Sequence, residues 1–377
     1  MPKPPERGAC LIGALLLTTS LASSAQSPPA APAAKADPSG LPAEEMRKAS
    51  QSLLLDAVQA GAGFYVAGER GHVLASGNGT QWKQASVPTR STLTTLATAD
   101  GQLWAGGHDG VILHSTDGNT WEVQRRDPYA LAPDEDPADR DLRQGAPILD
   151  LLFTDASHGI AVGAYSLMLQ TTDGGATWNP VEAIAEGGEV SDEPEAIASE
   201  SGVFDAEDLL LGEESQPHFN AIVRTGSGAL ALVGERGTFL RSRDGGATWE
   251  KLDFPYAGSL FGVLAWEGDH ILAYGLRGNV YESQDLGSTW TKVDSGVASN
   301  LMGGVALEGG GAVLVGSNGV VLSRADTGMP FARGTYTNAA GETPALAGVL
   351  PAGSRGYVLV GEKGVDTYQP TTETQSP

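Results

Sequence analysis

The sequence predicts an all-β fold: a seven-bladed β-propeller of four-stranded antiparallel blades. Two repeated phrases and their spacing carry that prediction. The first phrase is a polar box that closes on an aromatic residue. SGNGTQW ends at Trp82, STDGNTW at Trp121, TTDGGATW at Trp178, SRDGGATW at Trp249 and SQDLGSTW at Trp290, and a degenerate copy, SRADTGMPF, ends at Phe331. The second is an apolar run that enters a Gly-x-x-Gly turn: FYVAGERG, LWAGGHDG, GIAVGAYS, LALVGERG, ILAYGLRG, AVLVGSNG and YVLVGEKG. Their first glycines, Gly68, Gly107, Gly163, Gly234, Gly275, Gly316 and Gly361, lie 39, 56, 71, 41, 41 and 45 residues apart. The basic period is therefore about 40 residues, with two copies stretched by insertions.

Each unit reads as four short strands, A to D. Strand A is an apolar stretch such as LLDAV (54–58), ILDLLF (148–153) or FGVLAW (261–266). Strand B ends at the Gly-x-x-Gly turn, strand C runs from there to the Ser or Thr of the box, and strand D begins at the aromatic residue. Short β-branched and aromatic runs punctuated by Gly, Asn and Asp support strands over helices. One such sheet cannot bury both of its faces, so the core must lie between neighbouring blades. The seventh unit offers ALAGVL (345–350), YVLVG (357–361) and VDTYQ (365–369), with no fourth strand after them. Residues just before Leu53 could close the ring, or the last blade stays three-stranded; AEEMRK (43–48) reads as more helical than extended.

Outside the repeats, residues 1–25 read as a cleavable signal peptide: Lys3 and Arg7, the apolar CLIGALLLTTSLA (10–22), then Ser23-Ser24-Ala25. The apolar centre is too short to span a membrane. Cys10 is the sole cysteine, so the exported chain needs no disulfide. The expected compartment is the periplasm. Residues 26–52 form a Pro/Ala-rich linker and possible closing segment, residues 53–369 the propeller, and 370–377 a tail. The net charge is −23, and removing Lys3, Arg7 and Glu6 takes it to −24. That acidity disfavours nucleic acid and anionic membranes as partners. Acidic insertions are expected at 127–147 and 182–217. Residues 182–214 hold twelve Asp or Glu and no Lys or Arg. The insertions read first as disordered, solvating loops; partner docking is the alternative, and VFDAEDLLLG (203–212), apolar within acidic surroundings, is the best candidate for it.

The boxes have a local physical account. The carboxylates of Asp117, Asp173, Asp244 and Asp285 can accept turn N–H groups, and Gly175, Gly246 and Gly287 can adopt positive φ. The tryptophans then bury large rings between sheets, with indole N–H groups expected near polar turn atoms. One carboxylate per box is too few for a calcium site.

The box resembles the Asp box, or bacterial neuraminidase repeat. The longer unit, Gly-x-Arg-Gly, a strand, then T-x-D-G-G-x-T-W, resembles the photosystem II stability and assembly factor family over about residues 53–369. The resemblance implies a non-enzymatic lumenal or periplasmic propeller that helps a membrane complex assemble or work. For a bacterial member the implied client is an envelope membrane complex or its exported segments. A resistance–nodulation–division type transporter is one such client.

In an up-down blade the A–B and C–D turns share one face, while the B–C turns and D–A connections share the other. The boxes therefore point away from both insertions. The third turn position reads Arg70, Asp109, Tyr165, Arg236, Arg277, Asn318 and Lys363. Its cations predict a basic patch ringed by acidic loops, able to hold an acidic segment or carboxylate. Ordinary solvated turns, or pairing of the cations with Glu69 and Glu235, are the competing expectation. A carbohydrate-binding propeller would use Tyr129, Tyr165 and Tyr256. A sialidase-like hydrolase would use Tyr165 with a Glu partner and an arginine cluster, but the Arg-Ile-Pro phrase of such enzymes is absent. The histidines, among them His72, His108, His114, His158 and His218, lack metal-ligand spacing, so no metal or cofactor is expected.

Overall fold

The computed structural model describes residues 37–128, 141–183 and 216–370. Residues 1–36, Tyr129, the segment 203–212 and the tail beyond 370 lie outside the described residues, and so does most of each insertion. Blade 1 is β1 (Leu54–Ala60), β2 (Gly63–Gly68), β3 (Val73–Ser76) and β4 (Lys83–Gln84); blade 2 is β5 (Leu93–Ala99), β6 (Gln102–Gly107), β7 (Ile112–Ser115) and β8 (Glu122–Arg125). Blade 3 is β9 (Ile148–Phe153), β10 (Gly159–Gly163), β11 (Met168–Thr171) and β12 (Asn179–Pro180); blade 4 is β13 (Phe219–Arg224), β14 (Leu230–Gly234), β15 (Phe239–Ser242) and β16 (Glu250–Lys251). Blade 5 is β17 (Leu260–Ala265), β18 (Ile271–Gly275), β19 (Val280–Ser283) and β20 (Thr291–Val293); blade 6 is β21 (Leu301–Ala306), β22 (Gly310–Gly316), β23 (Val320–Asp326) and β24 (Ala332–Thr335). Blade 7 is β25 (Leu346–Pro351), β26 (Tyr357–Gly361) and β27 (Gly364–Tyr368). Every sheet is antiparallel, with its strands in simple sequential order. The inner strands touch one another in a ring, and β25 meets β1 to close it.

The second strand of each blade explains the core. GIAVG, LALVG and ILAYG are buried at every residue, because both faces of the sheet meet a neighbouring blade. The apolar clusters accordingly pair adjacent blades. Ala67 and Val73 meet Leu93 and Leu96 between blades 1 and 2. Trp104 stacks on Phe153 between blades 2 and 3, with ring centroids 3.6 Å apart. Leu54 and Val66 meet Val360 at the closure.

That closure resolves the ambiguity in the last blade. Among the described residues blade 7 has three strands, and residues 37–52 add no fourth. Residues 43–48 are not helical either. Their polar groups are spent on blade 1 and its exit loop. Ala43 N–H donates to the Val87 carbonyl, Met46 N–H to Gln84 Oε1 at 2.9 Å, and Gln84 Nε2 to the Glu44 carbonyl at 2.8 Å. A short 3-10 turn, Ala49–Gln51, then seats Ala49 and Met46 against Val360 and Val365.

In the boxes, Oδ1 of Asp173, Asp244 and Asp285 accepts the N–H of Thr177, Thr248 and Thr289, each at 2.9 Å. Asp117 accepts from Asn119 and Thr120, and Asn78 does the same work for Thr80 and Gln81 in the first copy. Two expectations need correction. The indole N–H groups of Trp121, Trp178, Trp249 and Trp290 have no hydrogen-bond partner among the described residues. The turn's oxygen acceptors already serve its own backbone, and the rings pack on apolar neighbours instead: Trp178 stands edge-on to Phe153 at 5.8 Å and Trp290 to Phe239 at 5.1 Å, while Trp121 and Trp249 join the clusters between their blades. Only Trp121 is fully buried; Trp82, Trp178, Trp249 and Trp290 are half-buried, and strand D starts one residue after each.

The degenerate sixth copy is no box. Arg324 pairs with Ala312 where Ser283 pairs with Ile271 one blade earlier, and β23 runs straight on to Asp326. The buried Arg324 guanidinium donates to both carboxylate oxygens of Glu282, which also bonds His270 at 2.7 Å. It lies over the rings of Trp266 and Phe331.

Candidate functional site: the turn face and the axial channel

The two glycines of the Gly-x-x-Gly turns answer different demands; in blade 3 the second place is taken by Ser166, also at positive φ. The first is extended, so its backbone angles admit any residue. It is glycine because a carbonyl approaches from just before strand A: a Cβ on Gly68 would stand 2.1 Å from the Leu53 oxygen, and one on Gly361 2.2 Å from the Ala345 oxygen. The second glycine has positive φ and lies beneath the connection leaving strand D. At Gly237, with φ +66°, a Cβ would meet the Tyr256 oxygen at 2.4 Å. These contacts place the B–C turns and the D–A connections on one face.

Between the glycines, the displayed residue is left-handed. Arg70, Asp109, Tyr165, Arg236, Arg277 and Asn318 have φ between 54° and 60°. This conformation is costly for residues with a Cβ and is held here by the surrounding turn. Lys363 differs from its expected equivalence. It lies in the tight hairpin joining β26 to β27, outside the left-handed set, 3.7 Å from Glu342.

Blade order divides the cations. Arg236 and Arg277 are on neighbouring blades 4 and 5, while Lys363 and Arg70 are on neighbouring blades 7 and 1. Asn318 separates the pairs on one side, and Asp109 and Tyr165 on the other. The single basic patch expected from sequence is therefore two basic arcs. Arg70, Arg236, Arg277 and Lys363 are all exposed. Among the described residues no carboxylate pairs with Arg70 or Arg277; Arg70 touches Met46 Sδ at 3.9 Å, and Arg277 donates its backbone N–H to Asn300 Oδ1. Tyr165 is half-buried, edge-on to His218, and His218 lies 3.7 Å from Glu235.

The glutamates next to the arginines play a role that the sequence does not announce. Glu69 accepts the N–H of Leu53 at 3.4 Å, and Glu235 that of His218 at 3.2 Å. Each braces its turn against the entry to its own first strand, and among the described residues no ion pair joins Glu69 to Arg70.

The axial channel holds further polar residues that sequence reasoning missed. Every inner strand has a register shift after its first paired residue. At the equivalent position beyond it stand Asp56, Thr95, Asp150, Ala221, Gly262, Gly303 and Gly348. Asp56 Oδ2 accepts Leu96 N–H from blade 2 at 2.6 Å, and Asp150 Oδ2 accepts Ile222 N–H from blade 4 at 2.8 Å. The Thr95 hydroxyl donates to Asp150 Oδ1 at 3.1 Å, Thr94 to the Ile148 carbonyl, and Asn220 Nδ2 to the Leu260 carbonyl. These bonds stitch blades 1 to 5 along their inner edges. Burial pushes Asp56 up to about 7 and Asp150 up to about 6, against the backbone hydrogen bonds that favour their charge. The available signal was an Asp inside two apolar strand-A runs, LLDAV and ILDLLF.

Together these features define a loop-presenting β-propeller, a rigid wheel that carries its variable residues on turns. No protein-family model matches the chain. Its sequence is similar to photosystem II assembly lipoprotein Ycf48 of Synechococcus sp. (strain CC9902), with 27% identity over 136 residues, covering 32% of this chain and 41% of that protein. The chain thus spans less than half the length of that relative. Its fold is similar to a structure of YCF48 bound to D1 peptide, with TM-score 0.56 and 14% identity over 86% of this chain and 96% of that one. YCF48 from Cyanidioschyzon merolae gives TM-score 0.56 and 16% identity over 84% and 94%. The WD40 propeller domain of Doa1 gives 0.59 and 11% over 88% and 97%, so shape alone does not separate one propeller from another. The sequence match agrees with the resemblance of the repeat to the photosystem II assembly-factor-like propellers, while the YCF48 structures show the shared fold alone.

Proposed function

We propose that this chain is a non-enzymatic protein-binding propeller that serves as an assembly or accessory factor of an envelope membrane complex, acting in the periplasm. A resistance–nodulation–division type transporter is the client class we favour. One observation carries the reading: Arg70 and Arg277 stand exposed on rigid left-handed turns without a carboxylate partner among the described residues. Guanidinium groups displayed this way suit the carboxylates of a partner segment, because the backbone that carries them is already fixed and only side-chain freedom is lost on pairing. The similarity to Ycf48, one structure of which is bound to a peptide, supports a peptide ligand. Two separated basic arcs fit an extended segment laid across the face. They suit a single small sugar acid less well, which ranks sialidase-like chemistry and carbohydrate binding lower.

The test is affinity purification from membranes followed by mass spectrometry, comparing wild type with Arg70→Glu/Arg236→Glu/Arg277→Glu. We expect the triple variant to keep the wild-type melting curve and lose its membrane-protein partner. Undiminished capture by the folded variant would remove this face from the reading.

A further inference from the structure

The axial channel encloses about 260 Å³, and its lining includes Asp56, Thr95, Asp150, Asn220 and Tyr274 but no Lys, Arg or His. Two carboxylates thus share a confined space with no basic side chain in its walls. Both residues are half-buried and face the channel, with no cationic side chain beside them among the described residues. Their backbone partners leave acceptor capacity unused. Each Asp56 oxygen accepts one N–H, and the Asp150 oxygens accept Leu151 N–H, Ile222 N–H and the Thr95 hydroxyl. A carboxylate has about four lone-pair sites, so both can take a further ligand from the channel side.

Tyr274 gives a second, independent indication. It projects from β18 through the space left by Gly262, where a Cβ would stand 2.2 Å from the tyrosine oxygen. The ring is 5% exposed, and its hydroxyl has no hydrogen-bond partner among the described residues although it lines the cavity. The ring is buried while the hydroxyl opens onto the cavity, so its donor and acceptor are available to whatever the cavity holds. Gly303 and Gly348, on blades 6 and 7, bring no side chain of their own to the cavity.

We propose that the axial cavity binds one divalent metal cation with hard-oxygen preference, held by Asp56 and Asp150 and completed by the Tyr274 hydroxyl and water. Two carboxylates match a double positive charge, and an all-oxygen donor set without sulfur or imidazole selects Ca²⁺, Mg²⁺ or Mn²⁺ over Zn²⁺ or Cu²⁺. The ion would tie the inner strands of blades 1, 3 and 5 and so stiffen the wheel that presents the turns.

The test uses the full exported chain, stripped of metal by chelation, titrated calorimetrically with CaCl₂ and with MnCl₂ and melted with and without each salt. The expected wild-type result is one saturable site and a raised melting temperature. In Asp56→Asn/Asp150→Asn that site and the temperature rise should vanish, leaving only weak binding by surface acids. Tyr274→Phe, which keeps the buried ring, should weaken the site by about tenfold and serves if the double variant does not fold. No metal-dependent rise in the wild type, or wild-type affinity in either variant, would overturn the assignment.

Discussion

Gly237→Ala and Gly245→Ala form a matched pair that separates backbone strain from steric exclusion on the turn face. Both glycines have positive φ, +66° and +75°. Placing alanine in that region costs about 1–2 kcal/mol at either site. The surroundings differ. Nothing lies within 4 Å of a Cβ at position 245, whereas at 237 the Tyr256 oxygen lies at 2.4 Å, with Ala257 Cα behind it at 3.3 Å. Since Cβ atoms do not approach backbone oxygen closer than 3.0 Å, the connection out of blade 4 must retreat by roughly 0.6 Å. Forced displacement of packed groups costs about 1–3 kcal/mol more. Gly245→Ala should therefore lose about 1 kcal/mol and Gly237→Ala about 3 kcal/mol, read from urea unfolding midpoints at unchanged slope. Gly237→Ala should also weaken partner capture, since the turn that moves carries Arg236. Equal losses at the two sites would refute the argument that the second glycine is required by the overlying connection.

Two further predictions concern charges inside and outside the blades. Glu282→Ala strands the Arg324 guanidinium, whose side chain is 0% exposed, and should cost about 3–5 kcal/mol in denaturant titration; Glu250→Ala, facing Arg241 with its own side chain 58% exposed, should cost under about 1 kcal/mol. Hydrogen bonds from the Thr248 hydroxyl and N–H hold Asp244 down to about 2, so its contribution is present above pH 4 and is lost as pH falls toward 2. Thermal melts between pH 5 and pH 2.5 should therefore show a smaller acid-induced drop for Asp244→Ala than for wild type. At pH 7, Asp244→Asn should melt closer to wild type than Asp244→Ala, because Asn78 makes the equivalent turn bonds in blade 1.

Much of this architecture is legible in the chain because the signals are local and repeated. Gly-x-x-Gly and the box report turn geometry within a few residues, and seven copies of the first and five of the second average out the noise of any one. ILDLLF (148–153) and YVLVG (357–361) match β9 and β26 residue for residue. Errors arose where a partner distant in sequence sets the outcome. Residues 43–48 read as helical, yet bonds to Gln84 and Val87 hold them irregular. SRADTGMPF reads as a box, yet Arg324 is drawn straight by Glu282 on the neighbouring blade. The indole N–H groups were expected to find turn oxygens that the turn itself already uses.

The sequence alone determined the number of blades, the order of strands within them and the face on which Arg70, Arg236, Arg277 and Tyr165 would appear. Period and turn chemistry are properties of short windows, and alternation of the chain direction does the rest. Only the tertiary structure decided how those residues group. Ring closure makes the blades of Lys363 and Arg70 neighbours and splits the cations into two arcs. It also brings Asp56 and Asp150, 94 positions apart, into one channel with Tyr274. A closed wheel joins residues by their angle about an axis, and no spacing along the chain encodes that angle until the last blade meets the first.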